Sequence, residues 1–178
     1  MSEKPKIATV WLDGCSGCHM SFLDIDERLI ELGELANLVY SPLVDNKVFP
    51  PDVVVTIVEG AVSSEEDYEK IKMIRGRTQL LVSLGDCAIT ANVPGMRNEF
   101  KKKDVLDRSY IENADENLHI PLEVIPPLRK LSVPVHQVVD VDVFVPGCPP
   151  TNETIWYTVS ELLAGRIPDL TGHTRFGV

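Results

Sequence analysis

This chain lacks a long apolar run, a surplus of positive charge and a second close pair of cysteines. Each absence removes a class of function. No stretch reaches the ~18 apolar residues that a membrane helix needs, so no membrane span is expected. Lysine and arginine number 17 against 27 aspartates and glutamates, a formal net charge of −10. A broad basic surface for nucleic acid is therefore not expected. The basic run Lys101-Lys102-Lys103 is short, is followed by acidic residues, and reads as a solvated face. The amino terminus, Met1 to Lys6, leads into a short apolar run that breaks at Asp13, without a signal-peptide core or a twin-arginine pair. The expectation is a soluble cytoplasmic protein. In a reducing compartment its four cysteines read as metal ligands before disulfides.

What is there is 178 residues, read as one domain (1–178) with 44% apolar and 25% charged residues. Its cysteines are Cys15, Cys18, Cys87 and Cys148. The first two form a Cys-x-x-Cys pair in Gly14-Cys15-Ser16-Gly17-Cys18-His19. The others sit in Leu84-Gly85-Asp86-Cys87 and Val145-Pro146-Gly147-Cys148-Pro149-Pro150. Four thiolates make the complete ligand set of one [4Fe–4S] cluster. A lone Cys-x-x-Cys is equally a zinc half-site or a dithiol redox motif. The dithiol reading leaves Cys87 and Cys148 unexplained, and a zinc site usually has a second close pair. Either distant cysteine alone would read as a core thiol. Their neighbouring glycines, which let backbone amides approach a cluster, shift the balance.

Strands are expected at Ile7–Leu12, Leu38–Val44 (limited to an edge or cut short by Pro42), Val53–Val58, Gln79–Leu84 and Val138–Val145. A helix is expected over Ser21–Leu38, where Phe22, Ile25, Leu29, Leu32 and Leu35 recur at spacings of three and four. Ser64 with Glu65, Glu66 and Asp67 opens another, and Thr151 caps a last one running to Gly165. The latter would turn its positive end toward an anionic cluster. The alternation predicts an α/β, flavodoxin-like, doubly wound and mostly parallel sheet. All four cysteines then lie beyond the carboxyl ends of strands, where such sheets hold ligands. The segment from about 96 to 135 is charged, rich in proline and weakly periodic. It reads as a long partner-facing excursion.

Glu59 ends the third strand at the same edge. It reads first as a solvated turn carboxylate, and otherwise as a proton relay or an auxiliary iron ligand. Asp13 and Asp86 share that ambiguity. His19 is a candidate donor to a cluster sulfur. His119, His136 and His173 show no partnered spacing and are assigned nothing.

Gly14-Cys15-Ser16-Gly17-Cys18, Val58-Glu59-Gly60-Ala61, Gly85-Asp86-Cys87 and Pro146-Gly147-Cys148-Pro149-Pro150, in this order, resemble the small subunit of nickel–iron hydrogenases. The first motif, extended from Asp13 to Ser21, most resembles the small subunit of the cytoplasmic NAD-reducing type. The resemblance implies one proximal [4Fe–4S] cluster on Cys15, Cys18, Cys87 and Cys148. It places the nickel–iron centre on a large subunit and the NAD chemistry on diaphorase subunits with a flavin and further clusters. Net reaction: H2 plus NAD⁺ to NADH plus H⁺, reversibly. A related hydrogenase with a deazaflavin or sulfur acceptor is the alternative within the resemblance. No cysteine follows Cys148, so the further clusters of membrane-linked relatives cannot be built the same way. Respiratory NADH–quinone reductase subunits carry adjacent cysteines in place of the spaced pair. Some relatives hold a second flavin (FMN), but the Asp13–Ser21 loop has only Gly14 and Gly17 and does not support one here.

Overall fold

The structure, a computed structural model, describes residues 4–174; Met1–Glu3 of the amino-terminal reading lie outside it. Five parallel strands form the main sheet: β1 (Lys6–Trp11), β2 (Asn37–Tyr40), β3 (Val53–Glu59), β5 (Thr78–Leu84) and β7 (Val143–Val145). Their order is β2-β1-β3-β5-β7. Counting only this sheet, that is second, first, third, fourth, fifth, the flavodoxin-like order. The chain reverses direction across the sheet between β1 and β3, so a crevice opens there at the carboxyl edge.

Successive residues of these strands point to opposite faces. Ile7, Ile57 and Val82 enter a core with Phe22, Leu32, Ile155 and Val159. Ala8, Val58 and Leu81 enter a second core with Ile71, Ile74 and Ala88. Burial on both faces is why the strands read as unbroken apolar runs. The first face is covered by α1 (Gly17–Leu23), α2 (Arg28–Leu35) and α7 (Asn152–Leu163). The second is covered by α3 (Glu65–Arg75) and α4 (Gly85–Thr90). Both expected caps are present. Ser64 Oγ accepts from the Asp67 amide at 3.1 Å while Asp67 Oδ2 accepts from the Ser64 amide at 2.9 Å, and Thr151 Oγ1 accepts from the Thr154 amide at 3.2 Å.

Four expectations are corrected. The helix over Ser21–Leu38 is two helices, broken where Asp26 takes a φ of 53°. The second strand stops at Tyr40, short of Pro42, and lies at the sheet edge. The fifth strand spans only Val143–Val145, because Val138, Val139 and Val141 pack against the second core instead. There Asp142 Oδ2 holds the Leu81 amide at 2.7 Å and Arg75 at 2.6 Å. The excursion is structured: it follows α5 (Asn92–Gly95) and contains α6 (Lys102–Asp107) and β6 (Leu128–Val133). β6 pairs antiparallel with β4 (Val62–Ser64) in a small second sheet. Arg97 donates to the carbonyls of Ser63 and Arg129 at 3.1 and 3.2 Å, and Asn98 exchanges two 2.8 Å bonds with the Ser132 backbone.

Candidate metal centre

Cys15 and Cys18 lie in and just after the turn that leaves β1. That turn is fixed by a reciprocal pair of backbone bonds, Asp13 amide to Ala61 carbonyl at 3.1 Å and Ala61 amide to Asp13 carbonyl at 2.7 Å. Gly60, at a φ of 85°, makes the approach feasible: a β-carbon there would sit 2.7 Å from the Asp13 carbonyl oxygen. Ser16, at a φ of 67°, then turns the chain into α1.

The first turn of a helix exposes amides without partners. In α1 the His19 amide donates to Glu59 Oε2 at 2.9 Å. Glu59 is only 2% exposed, so the solvated-carboxylate reading is wrong: its carboxylate is folded under α1. Glu59 Oε1 lies 3.1 Å from His19 Nδ1 without hydrogen-bond alignment, leaving both atoms and His19 Nε2 without a hydrogen bond. Trp11 stacks on the His19 ring with centroids 5.9 Å apart. Burial, and after it the charge of the same carboxylate, raises the Cys18 thiol.

Cys87 lies just beyond the end of β5, as expected, and there it belongs to α4, which begins directly where β5 ends. Gly85 makes the junction with a φ of 82°, and a β-carbon there would lie 2.2 Å from Cys18 Sγ. The Cys18 sulfur therefore occupies the space a side chain at position 85 would fill. Cys148 follows β7. Its loop is tied to the Cys87 turn by Asp86, whose amide donates to the Gly147 carbonyl at 2.9 Å and whose Oδ1 accepts from the Gly147 amide at 2.8 Å. Ser21 Oγ donates to the Pro150 carbonyl at 2.5 Å, joining the same loop to α1.

The sulfurs influence one another. Burial pushes the Cys18 thiol far above the ordinary thiol range, and the charges of Glu59, Cys87 and Cys15 push in the same direction. Burial also raises Cys87, opposed by the Val93 amide and reinforced by Cys148, Cys15 and Glu59. All four cysteines are free. Cys87 is buried and Cys18 half-buried, while Cys15 and Cys148 are exposed. Among the described residues, no three histidine, cysteine, aspartate or glutamate side chains converge as ligands of one metal ion do. A cubane asks for something else, since its four thiolates go to four separate irons. The donor set, all sulfur and gathered from three strand ends, fits such a group.

Asp13 is exposed at the rim. His136 meets Phe144 edge-on and His173 stacks on Tyr157, so neither joins the thiols. Sequence reasoning missed Asn92, whose Nδ2 lies 3.6 Å from Cys148 Sγ. A cavity of about 510 Å³ beyond β1 and β2 is lined by Trp11, Asp13, Tyr40, Ser64 and Lys70. Its one cation, Lys70, faces Glu66 at 3.9 Å, so this lining offers little to a flavin phosphate.

Residues 15–162 match the family described as NADH ubiquinone oxidoreductase, 20 Kd subunit. The chain is 41% identical to the NAD-reducing hydrogenase HoxS subunit delta of Cupriavidus necator, over 94% of this chain and 82% of that one. It is 39% identical to a subunit of the F420-non-reducing hydrogenase of Methanothermobacter thermautotrophicus, over 93% of this chain but 55% of that longer one. Its fold superposes on a chain in the crystal structure of an NAD⁺-reducing [NiFe]-hydrogenase in the H2-reduced state. The TM-score is 0.93 at 36% identity, covering 98% of this chain and 99% of the other.

Proposed function

Because the chain belongs to the NADH ubiquinone oxidoreductase 20 Kd subunit family, with hydrogenase small subunits as its near relatives, we propose that it is the electron-transfer small subunit of an NAD-reducing nickel–iron hydrogenase. The observation that carries this reading is the near-complete superposition on the NAD⁺-reducing [NiFe]-hydrogenase chain. Cys15, Cys18, Cys87 and Cys148 are the proposed ligands of one proximal [4Fe–4S] cluster, supported by their gathering at one sheet edge. When bound, that cluster supplies one-electron transfer between the nickel–iron centre of a large subunit and the flavin and clusters of a diaphorase module.

The chain's own contribution is position and environment. Gly60 and Gly85 let backbone and sulfur approach closely, and Asp86 holds the start of α4, with Cys87, in register with the Cys148 loop. Burial shields Cys87 from water, and Cys18 is shielded in part. Glu59 is proposed as a proton relay or an auxiliary iron ligand, supported by its burial, the effect of its charge on the Cys18 thiol and the unpartnered Oε1. The excursion from 96 to 135 is proposed to face a partner, supported by exposed Met96, Phe100, Leu122 and Val124. The chain by itself is not proposed to split H2.

A second reading keeps the hydrogenase and changes the acceptor to a deazaflavin or sulfur. The 31% identity to the coenzyme F420 hydrogenase subunit gamma of Methanosarcina barkeri and the 27% identity to the sulfhydrogenase 2 subunit delta of Pyrococcus furiosus favour keeping it in view. The test is H2-driven reduction by the intact complex, offered NAD⁺, a deazaflavin or polysulfide separately. The proposal expects NADH formation to be fastest. Turnover with another acceptor and none with NAD⁺ would replace it.

A further inference from the structure

Asn92 opens α5, immediately after Ala91, which separates it from α4 and whose φ of 63° reverses the chain. The reversal is held from both sides: the Ala91 amide donates to the Cys87 carbonyl at 3.0 Å, and the Gly95 amide donates to the Ala91 carbonyl at 2.7 Å. Ala91 itself is buried. The chain is thereby returned toward two thiols. The Val93 amide opposes the upward push that burial gives the Cys87 thiol, and Asn92 Nδ2 donates to Cys148 Sγ at 3.6 Å. One short turn thus acts on two of the four sulfurs and hydrogen-bonds to Cys148. Cys148 is the exposed sulfur of these two, so its donor is a side chain rather than a sheltered backbone amide.

We infer that Asn92, through its side-chain amide on Cys148 Sγ, raises the reduction potential of the cluster proposed above; the inference rests on that cluster reading. Reduction adds one electron to a group whose charge is spread over its sulfurs. An N–H donor stabilises the more negative state more than the less negative one, and so makes the electron easier to accept. The electron comes from H2 oxidation on the partner subunit, and no bond forms or breaks at Asn92. Because the side chain is exposed and makes no bond that the fold depends on, replacing it should leave the fold intact.

The test compares the anaerobically purified complex with its Asn92→Leu and Asn92→Asp variants. Iron and acid-labile sulfide are measured first, followed by a redox titration monitored by electron paramagnetic resonance at one pH. The expected result is unchanged iron, a lower midpoint potential in Asn92→Leu, and a still lower one in Asn92→Asp, where a negative charge replaces the donor. A merely structural residue would not order the two variants this way. Loaded variants with unchanged or raised potentials overturn the role of Asn92 and leave the cluster reading standing. If one variant fails to load, the other carries the comparison; loss of iron from both makes Asn92 structural and overturns the inference. Wild-type complex without iron on this chain removes the cluster reading and this inference together.

Discussion

Asp86 and Gly147 hydrogen-bond to each other twice, backbone to backbone at 2.9 Å and carboxylate to amide at 2.8 Å. The two residues are 61 apart in sequence and stand one position before Cys87 and Cys148. The carboxylate is thus a splint between the start of α4 and the Cys148 loop. Asp86→Ala removes the acceptor and strands the buried Gly147 amide, at a cost of roughly 1–3 kcal/mol. The expected outcome is a lower melting temperature and reduced iron content. Asp86→Asn keeps an acceptor oxygen and should lie between Ala and wild type. Equal iron and stability in all three proteins would contradict the splint.

Gly85→Ala meets two obstacles at once. The backbone φ of 82° costs an alanine about 1–2 kcal/mol, and its β-carbon would lie 2.2 Å from Cys18 Sγ. Cys18 must move, so iron incorporation should fail even where the chain folds. Gly76→Ala is the control. Its φ is −67° and an added β-carbon meets nothing closer than 3.6 Å, so it should keep full iron. Iron in the Gly85 variant equal to that in the control would refute the steric argument.

Glu59 combines a structural bond with a free oxygen, and two variants separate these. Glu59→Ala leaves the His19 amide without its acceptor and should cost roughly 1–3 kcal/mol in thermal unfolding. Glu59→Gln retains an acceptor for that amide but cannot carry a proton. As a relay variant it should keep its iron and lose H2-driven turnover on the order of a hundredfold. Full turnover in the glutamine variant would reject the relay.

Leu122 is 83% and Val124 100% exposed on the excursion. Two large apolar side chains in water are the pattern of a surface that another protein covers. The double change Leu122→Asp, Val124→Asp should leave the melting temperature of the isolated chain unchanged and reduce co-purification of partner subunits. Undiminished co-purification would move the interface elsewhere.

Much of this fold is visible in the sequence because burial on both faces leaves an unbroken record. Val53–Val58 and Gln79–Leu84 read directly as inner parallel strands. The break in the first helix is hidden because Phe22, Ile25, Leu29 and Leu32 keep helical spacing across it and still reach one core. α4 is hidden because no capping residue separates it from β5; Leu84 is the last strand residue and the next residue is helical. β4 is short, and it pairs with β6 across 64 to 71 residues (Ser64 with Leu128, Val62 with Val133), which no local pattern records. The cysteines announce themselves by type and spacing. Glu59 is marked by its place at a strand end but its burial is not, because its partner, the His19 amide, is 40 residues away; Asn92 is not marked because its partner sulfur is 56 residues away.

The central claim is that Cys15, Cys18, Cys87 and Cys148 together hold one cubane. Its most direct test is the iron, zinc and acid-labile sulfide content of this chain, prepared without air. The account predicts about four iron and about four sulfide per chain, with no zinc. A folded chain that carries zinc, or no metal at all, would contradict it.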